Sequence, residues 1–187
     1  FYHIIIWIKD TRAWTLLKGM ILLGLIFVVA ASGLAGLLMS SNLSKRVNEI
    51  EISILLLEKI QTYLRYSKIP TSELIHSLAY NENFIALTFL KECSRKIEQG
   101  NAFPEAWKSG ICLWRDTGMN KRDKEILSGV SDILGSSDYE SQINSLELTA
   151  SLLEQNLKEA LDEKNTTGKL YRSLGVLIGI GMAIFIA

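Results

Sequence analysis

Two charge-free apolar stretches bracket this chain and restrict what it can become. Gly19 to Met39 is a run of 21 residues without a charge. As a helix rising about 1.5 Å per residue it spans roughly 31 Å, the thickness of a bilayer's hydrocarbon core. Leu174 to Ala187 forms a second run, of 14 uncharged residues. The sequence between them is polar and patterned for helices, so a body tethered at both ends is the expected organisation.

The first run is longer than the hydrophobic core of a cleaved signal, which spans about 7–15 residues, and it continues without a polar break. It therefore reads as a retained anchor. The second is short for a span, but Tyr171 and Arg172 ahead of it suit an interfacial flank, tyrosine by its amphipathic ring and arginine by snorkelling. Lys45 and Arg46 follow the first anchor, and Lys169 and Arg172 precede the second. This bias points the intervening body to the cytoplasm if the chain's own start lies near Leu17, with only Lys18 opposing. Residues 1–14 carry no helix cap and read as a spurious or disordered extension. The expected division is 17–40 transmembrane, 41–168 helical body and 170–187 transmembrane. Ser32-x-x-x-Gly36 and Gly175-x-x-x-Gly179 would let membrane helices approach closely.

Between Ser40 and Lys169 there are 16 Lys and Arg against 19 Asp and Glu, a net charge of −3. Such a body has no basic field and is not expected to bind nucleic acid. The only prolines are Pro70 and Pro104, and β-branched runs are few, which favours an all-α fold. Cys93 and Cys112 lie apart from any CxxC or histidine cluster and read as two buried, reduced thiols.

The first soluble helix is expected over Leu43 to Tyr66. Leu43, Val47, Ile50, Ile54, Leu57 and Leu64 step by fours and threes, and Ile52, Leu55, Leu56 and Ile60 widen the apolar face to one that suits a bundle. Pro70 ends this helix, and Thr71 or Ser72 caps a short one over Glu73 to Tyr80. A third spans Asn83 to Gln99 and stops at Gly100. Pro104 opens a fourth, and a fifth runs from Asn120 or Lys121 to Gly135. Ser137-x-x-Glu140 is a capping box, with Asp138 adding first-turn charge, for a sixth helix reaching about Lys164. Ile143, Leu146, Ala150, Leu153, Leu157 and Ala160 give it a clean seam, so the first and sixth helices are expected to pack antiparallel. The fold class is thus all-α: a six-helix cytoplasmic bundle flanked by N- and C-terminal transmembrane helices.

Chemistry is sparse. His3 and His76 stand alone, and no phosphate loop, nucleophile elbow, dinucleotide fingerprint or HExxH motif occurs. No enzyme, cofactor or metal is expected. Glu140, Glu147 and Glu154 recur every seven residues; they form either a solvated face or a candidate docking stripe for a basic partner surface.

Several blocks in order resemble one family. KLYRSLGV (Lys169 to Val176) leads straight into the terminal apolar run. GNAFPEAW (Gly100 to Trp107) and LGSSDYESQ (Leu134 to Gln142) precede it. Together they resemble the stage III sporulation protein AB family, over roughly Leu17 to Ala187. The resemblance implies a platform in the channel between mother cell and forespore of endospore-forming bacteria. It is similar to platform proteins of type II secretion and type IV pilus systems, whose helical cytoplasmic domains anchor an ATPase. By that likeness the partners are the channel ATPase, stage III sporulation protein AA, and other channel membrane subunits, with homo-oligomers compatible. The chain would be integral to the cell membrane, its body facing the mother-cell cytoplasm; a subunit of another secretion or pilus-type export system is the alternative. The motif residues Gly100, Glu105, Ala106, Trp107, Gly135, Asp138, Gln142, Tyr171, Arg172, Ser173 and Gly175 read as structural: helix stops, a core plug, and a close-packed approach to lipid.

Overall fold

The computed structural model describes the backbone of residues 12–67, 69–135 and 138–186, and the side-chain surroundings of 19–20, 23–24, 26, 41–67, 69–135, 138–167 and 170. The described residues are helical, with no strand among them. The helices are α1 (Arg12–Tyr66), α2 (Thr71–Ala79), α3 (Phe89–Glu98), α4 (Phe103–Leu113), α5 (Lys121–Ser128), α6 (Val130–Ile133) and α7 (Tyr139–Ile186), with a 3-10 turn at Glu82–Phe84 before α3. The chain divides into two units, residues 1–41 with 166–187, and residues 42–165.

The long helices run across the boundaries of the expected segments. The backbone is already helical at Arg12, and α1 continues without interruption to Tyr66. α7 likewise runs unbroken from Tyr139 to Ile186. Neither stretch contains a proline, so nothing forces the backbone to break where the polar and apolar segments meet. Among the described residues no helix is long and apolar enough to cross a membrane. The two expected spans, and the small-residue pairs within them, fall largely on side chains outside the described residues.

In the unit 42–165 the apolar periodicity becomes burial. Val47, Ile50, Leu56, Leu57 and Ile60 of α1 lie in the core, as do Leu146, Ala150, Leu153 and Ala160 of α7. Leu55, placed on the apolar face by its position, is 46% exposed. The intervening helices close the other side. α3 packs mainly against α4, and α2 against α3. Phe89 sits at the centre of an aromatic group, its ring 5.0 Å from Trp107 edge-on and 5.2 Å from Trp114.

Local chemistry sets the helix ends. α2 starts at Thr71, after Pro70, without a side-chain cap from Thr71 or Ser72. The expected third helix is shortened at its start. Asn81 accepts from the Asn83 amide at 2.9 Å, and Phe84, Leu87 and Leu90 each donate to the residue three back. That three-residue step buries Phe84 and Leu87 together while Ile85 is turned outward. α3 ends in a Schellman motif: Asn101 donates to Lys96 and Gly100 to Ile97, with Gly100 at φ +90°. The fifth expected helix appears as α5 and α6 on either side of Gly129, which keeps helical dihedrals. At α7, Asp138 caps the helix by accepting from the Ser141 amide at 3.1 Å; Ser137 of the expected box lies outside the described residues.

The loop between α4 and α5 lies directly on α1. A Cβ at Gly118 would stand 2.4 Å from the Arg46 backbone nitrogen and 2.9 Å from the Asn42 carbonyl oxygen. Backbone cannot rotate aside as a side chain does, so the loop would have to lift. At Gly100, by contrast, a Cβ meets nothing within 4 Å, and only the positive φ is at issue. Gly100→Ala should cost about 1–2 kcal/mol. Gly118→Ala should cost more, beyond the roughly 1–3 kcal/mol of ordinary overpacking. Urea unfolding of the two variants checks the order.

Candidate functional site

The most organised polar feature of the unit is a buried clamp where α1, α5 and α7 meet. Arg46 on α1 donates from Nε to Asp123 Oδ2 at 2.8 Å and from Nη2 to Oδ1 at 3.3 Å. Asn156 on α7 donates from Nδ2 to Asp123 Oδ1 at 2.8 Å. A third contact, Arg46 Nη1 to Glu163 Oε2 at 3.0 Å, reaches α7 two turns further on. Asp123 and Asn156 are fully buried, and Arg46 is 7% exposed.

Local sequence prepares this acceptor. Asn120 and Asp123 form a capping box at the start of α5: the Asp123 amide donates to Asn120 Oδ1, and the Asn120 amide to Asp123 Oδ2. The carboxylate is therefore held by a backbone donor, an amide and a guanidinium at once. This multiple hydrogen bonding is what makes a buried charge tolerable. The Asp123 hydrogen bond also raises the Arg46 pKa, against the opposing effect of burial.

One turn along α1, Glu49 reaches the α4–α5 loop. Its Oε2 accepts from Thr117 Oγ1 at 2.5 Å and from the Gly118 amide at 2.8 Å. Burial pushes this carboxyl above its ordinary pKa, opposed by those hydrogen bonds. Arg46 and Glu49 thus pin the loop and α5 to α1. Because Arg46 lies one turn inside Asn42 and Glu163 two residues before Asn165, the clamp also gathers the two points where the chain enters and leaves this unit.

The sequence-derived residues fall elsewhere. Ala106 and Trp107 are fully buried, and Trp107 Nε1 donates to the Leu127 carbonyl at 2.9 Å, joining α4 to α5. Glu105 is exposed in the first turn of α4. Gly135 has φ +95° between α6 and α7, and Gln142 is buried on α7. Tyr171, Arg172, Ser173 and Gly175 have side chains outside the described residues. Glu140, Glu147 and Glu154 are all exposed, and among the described residues none forms an ion pair. The cysteines divide, against the expectation of two buried thiols. Cys93 is buried with its pKa pushed up to about 12, whereas Cys112 is exposed because its position on α4 faces away from the core.

One cluster has catalytic residue types. His76 Nδ1 lies 3.0 Å from Glu98 Oε1 and 3.2 Å from Ser94 Oγ. A relay needs the acid on one ring nitrogen and the hydroxyl on the other. Here both share one nitrogen, so the cluster is an inter-helix bridge between α2 and α3. Among the described residues no group of three or more His, Cys, Asp or Glu could hold a metal.

Sequence reasoning missed the clamp. In the sequence Arg46 reads only as a topology signal, and Asp123 enters no reading. Two signals were present: Arg46 and Glu49 fall beside the seam positions Val47 and Ile50, and Asn120-x-x-Asp123 has capping-box spacing.

The described fold and clamp define an all-α scaffold, held at one corner by buried polar contacts. The family model described as stage III sporulation protein AB matches residues 21–187, and the chain belongs to that family. Over 161 residues it is 24% identical to stage III sporulation protein AB of Bacillus subtilis (strain 168), covering 85% of this chain and 94% of the relative. A solved structure of stage III sporulation protein AB matches with a TM-score of 0.54 at 20% identity, over 65% of this chain and 98% of that one, a likeness of fold. Membership supports a sporulation-related role.

Truncating Arg46 to Met leaves Asp123 buried without its cation and should cost about 3–5 kcal/mol. Glu163→Gln, at a carboxylate 54% exposed, should cost under about 1 kcal/mol. Chemical denaturation of the two variants measures the contrast. Glu49 behaves oppositely to a paired surface carboxylate. A carboxyl whose folded pKa is raised binds its proton more readily when folded, so its contribution grows as pH falls and is lost as pH rises through the folded pKa. Glu49→Gln should therefore be more stable than the parent at neutral pH, with the difference shrinking below about pH 4, where glutamate is protonated in either state. Denaturation midpoints across pH test the sign.

Proposed function

We propose that this chain is a non-enzymatic, membrane-anchored platform of the channel between mother cell and forespore. In this reading the unit 42–165 faces the mother-cell cytoplasm and docks the channel ATPase, stage III sporulation protein AA. The observation that carries the role is the family match over residues 21–187. The two uncharged runs of the sequence support anchoring. So does the Arg46–Glu163 contact, which brings residues near both boundaries of the unit within 3.0 Å of each other. A platform needs a body that keeps its shape while a motor works against it, and a buried clamp in which one carboxylate is held by Arg46, Asn156 and the Asn120 amide supplies such stiffness. The His76–Ser94–Glu98 cluster, with the hydroxyl and the acid on one ring nitrogen, is an inter-helix bridge and not a relay.

Full-length chain, extracted in detergent from sporulating cells, should co-purify the ATPase with or without ATP. Recovery of no ATPase would overturn the docking. Recovery of the intact chain in a salt-washed aqueous fraction without detergent would overturn the anchoring.

A further inference from the structure

The acidic stripe on α7 has a chemical complement on the same chain. Between α4 and α5 lies a cleft of about 440 Å³ that opens widely to solvent, floored by Ile111 and Met119 and rimmed by Lys108, Lys121 and Lys124. Glu125 is the one acid in that lining, so the cleft carries a net charge of +2. Lys124 is held in place by donating to the Trp114 carbonyl at 2.7 Å. The other two ammonium groups are committed only to surface pairs. Lys108 meets Asp132 at 2.8 Å with both side chains at least half exposed. Lys121 meets Glu125 at 3.7 Å with its own side chain 92% exposed. Pairs this exposed hold weakly and exchange readily for others.

The exposed face of α7 offers what such a cleft takes. Glu140, Glu147 and Glu154 stand on one side of the helix, about 10 Å apart at 1.5 Å per residue. None is in an ion pair among the described residues. Beside them Leu148 is 65% exposed and Leu152 38%, one helical turn apart and therefore neighbours. The leucines lie to one side of the glutamate line, about 100–140° around the helix from it, so the exposed side of α7 carries an acidic edge and an apolar edge that match the lysines and the apolar floor of the cleft.

We propose that the chain associates head to tail with a second copy of itself, the Glu147–Glu154 face of α7 in one copy seating in the Lys108–Lys121 cleft of the next. The two surfaces are different, so each copy keeps a free stripe and a free cleft. Such an interface propagates, closing into a ring or running on as a filament. The inference uses the stripe as a docking surface and does not depend on the ATPase being its partner.

The test uses the full chain in detergent, with self-association read by light scattering over a concentration series. The parent should self-associate, and salt should weaken the association because the contacts are exposed charges. Glu147→Lys with Glu154→Lys, and separately Lys108→Glu with Lys121→Glu, should each weaken it at least tenfold. Mixing the two reversed variants should restore association between them. Independently, Ser151→Cys should form an intermolecular disulfide with the exposed Cys112 of a second copy under mild oxidation, and Cys112→Ser should abolish it. A parent that stays monomeric, or reversed variants that associate as the parent does, overturns the proposal. So does a cleft variant that self-associates normally but loses the ATPase, because the cleft would then serve another partner.

Discussion

The buried pair of Arg46 and Asp123 is the contact on which the rest of the described unit depends. A guanidinium and a carboxylate removed from water must find each other, and they do so only if α1, α5 and α7 meet at one place. Leucine seams tolerate a slide of one residue far more readily than a bidentate ion pair does. Asn156 adds a third attachment to the same carboxylate. Net stability from such a pair is small beside that of the apolar core, but its geometric selectivity is large. Here it determines which faces of the long helices come together.

Further structure hangs on that corner. The α4–α5 loop is drawn onto α1 by Glu49, close enough that Gly118 lies against backbone. α5 follows the loop, and its Leu127 carbonyl receives the Trp107 indole of α4. The polar corner and the aromatic centre around Phe89 are thereby joined through α4 and α5. A body tied in this way transmits force between its parts with little internal give.

The unit also separates charge. α7 presents Glu140, Glu147 and Glu154, which form no ion pair among the described residues, while α4 and α5 present lysines around an apolar floor. A chain with a formal net charge of zero can thus carry two surfaces of opposite character. Electrostatics of this kind govern partner choice and orientation more than affinity.

Much of the scaffold was legible beforehand because its determinants are local. The seams of α1 and α7, the stop at Gly100 and the opening of α4 at Pro104 follow from periodicity and backbone chemistry within a few residues. The family itself was legible from short ordered blocks. Other features were not, because their partners lie far apart in sequence. Whether Leu55 faces core or solvent, and whether Cys112 joins Cys93 in the interior, depends on which neighbours close over each helix. Arg46 finds Asp123 across 77 residues, and no pattern around either one announces the other. The sequence alone determined that the body is helical, some of its helix ends, such as the stop at Gly100 and the start at Pro104, and most of the apolar faces, because those follow from 3.6-residue geometry and local backbone chemistry. Only tertiary structure decided which charges would be buried together, because that choice is made by packing, in space, between elements that local rules leave independent.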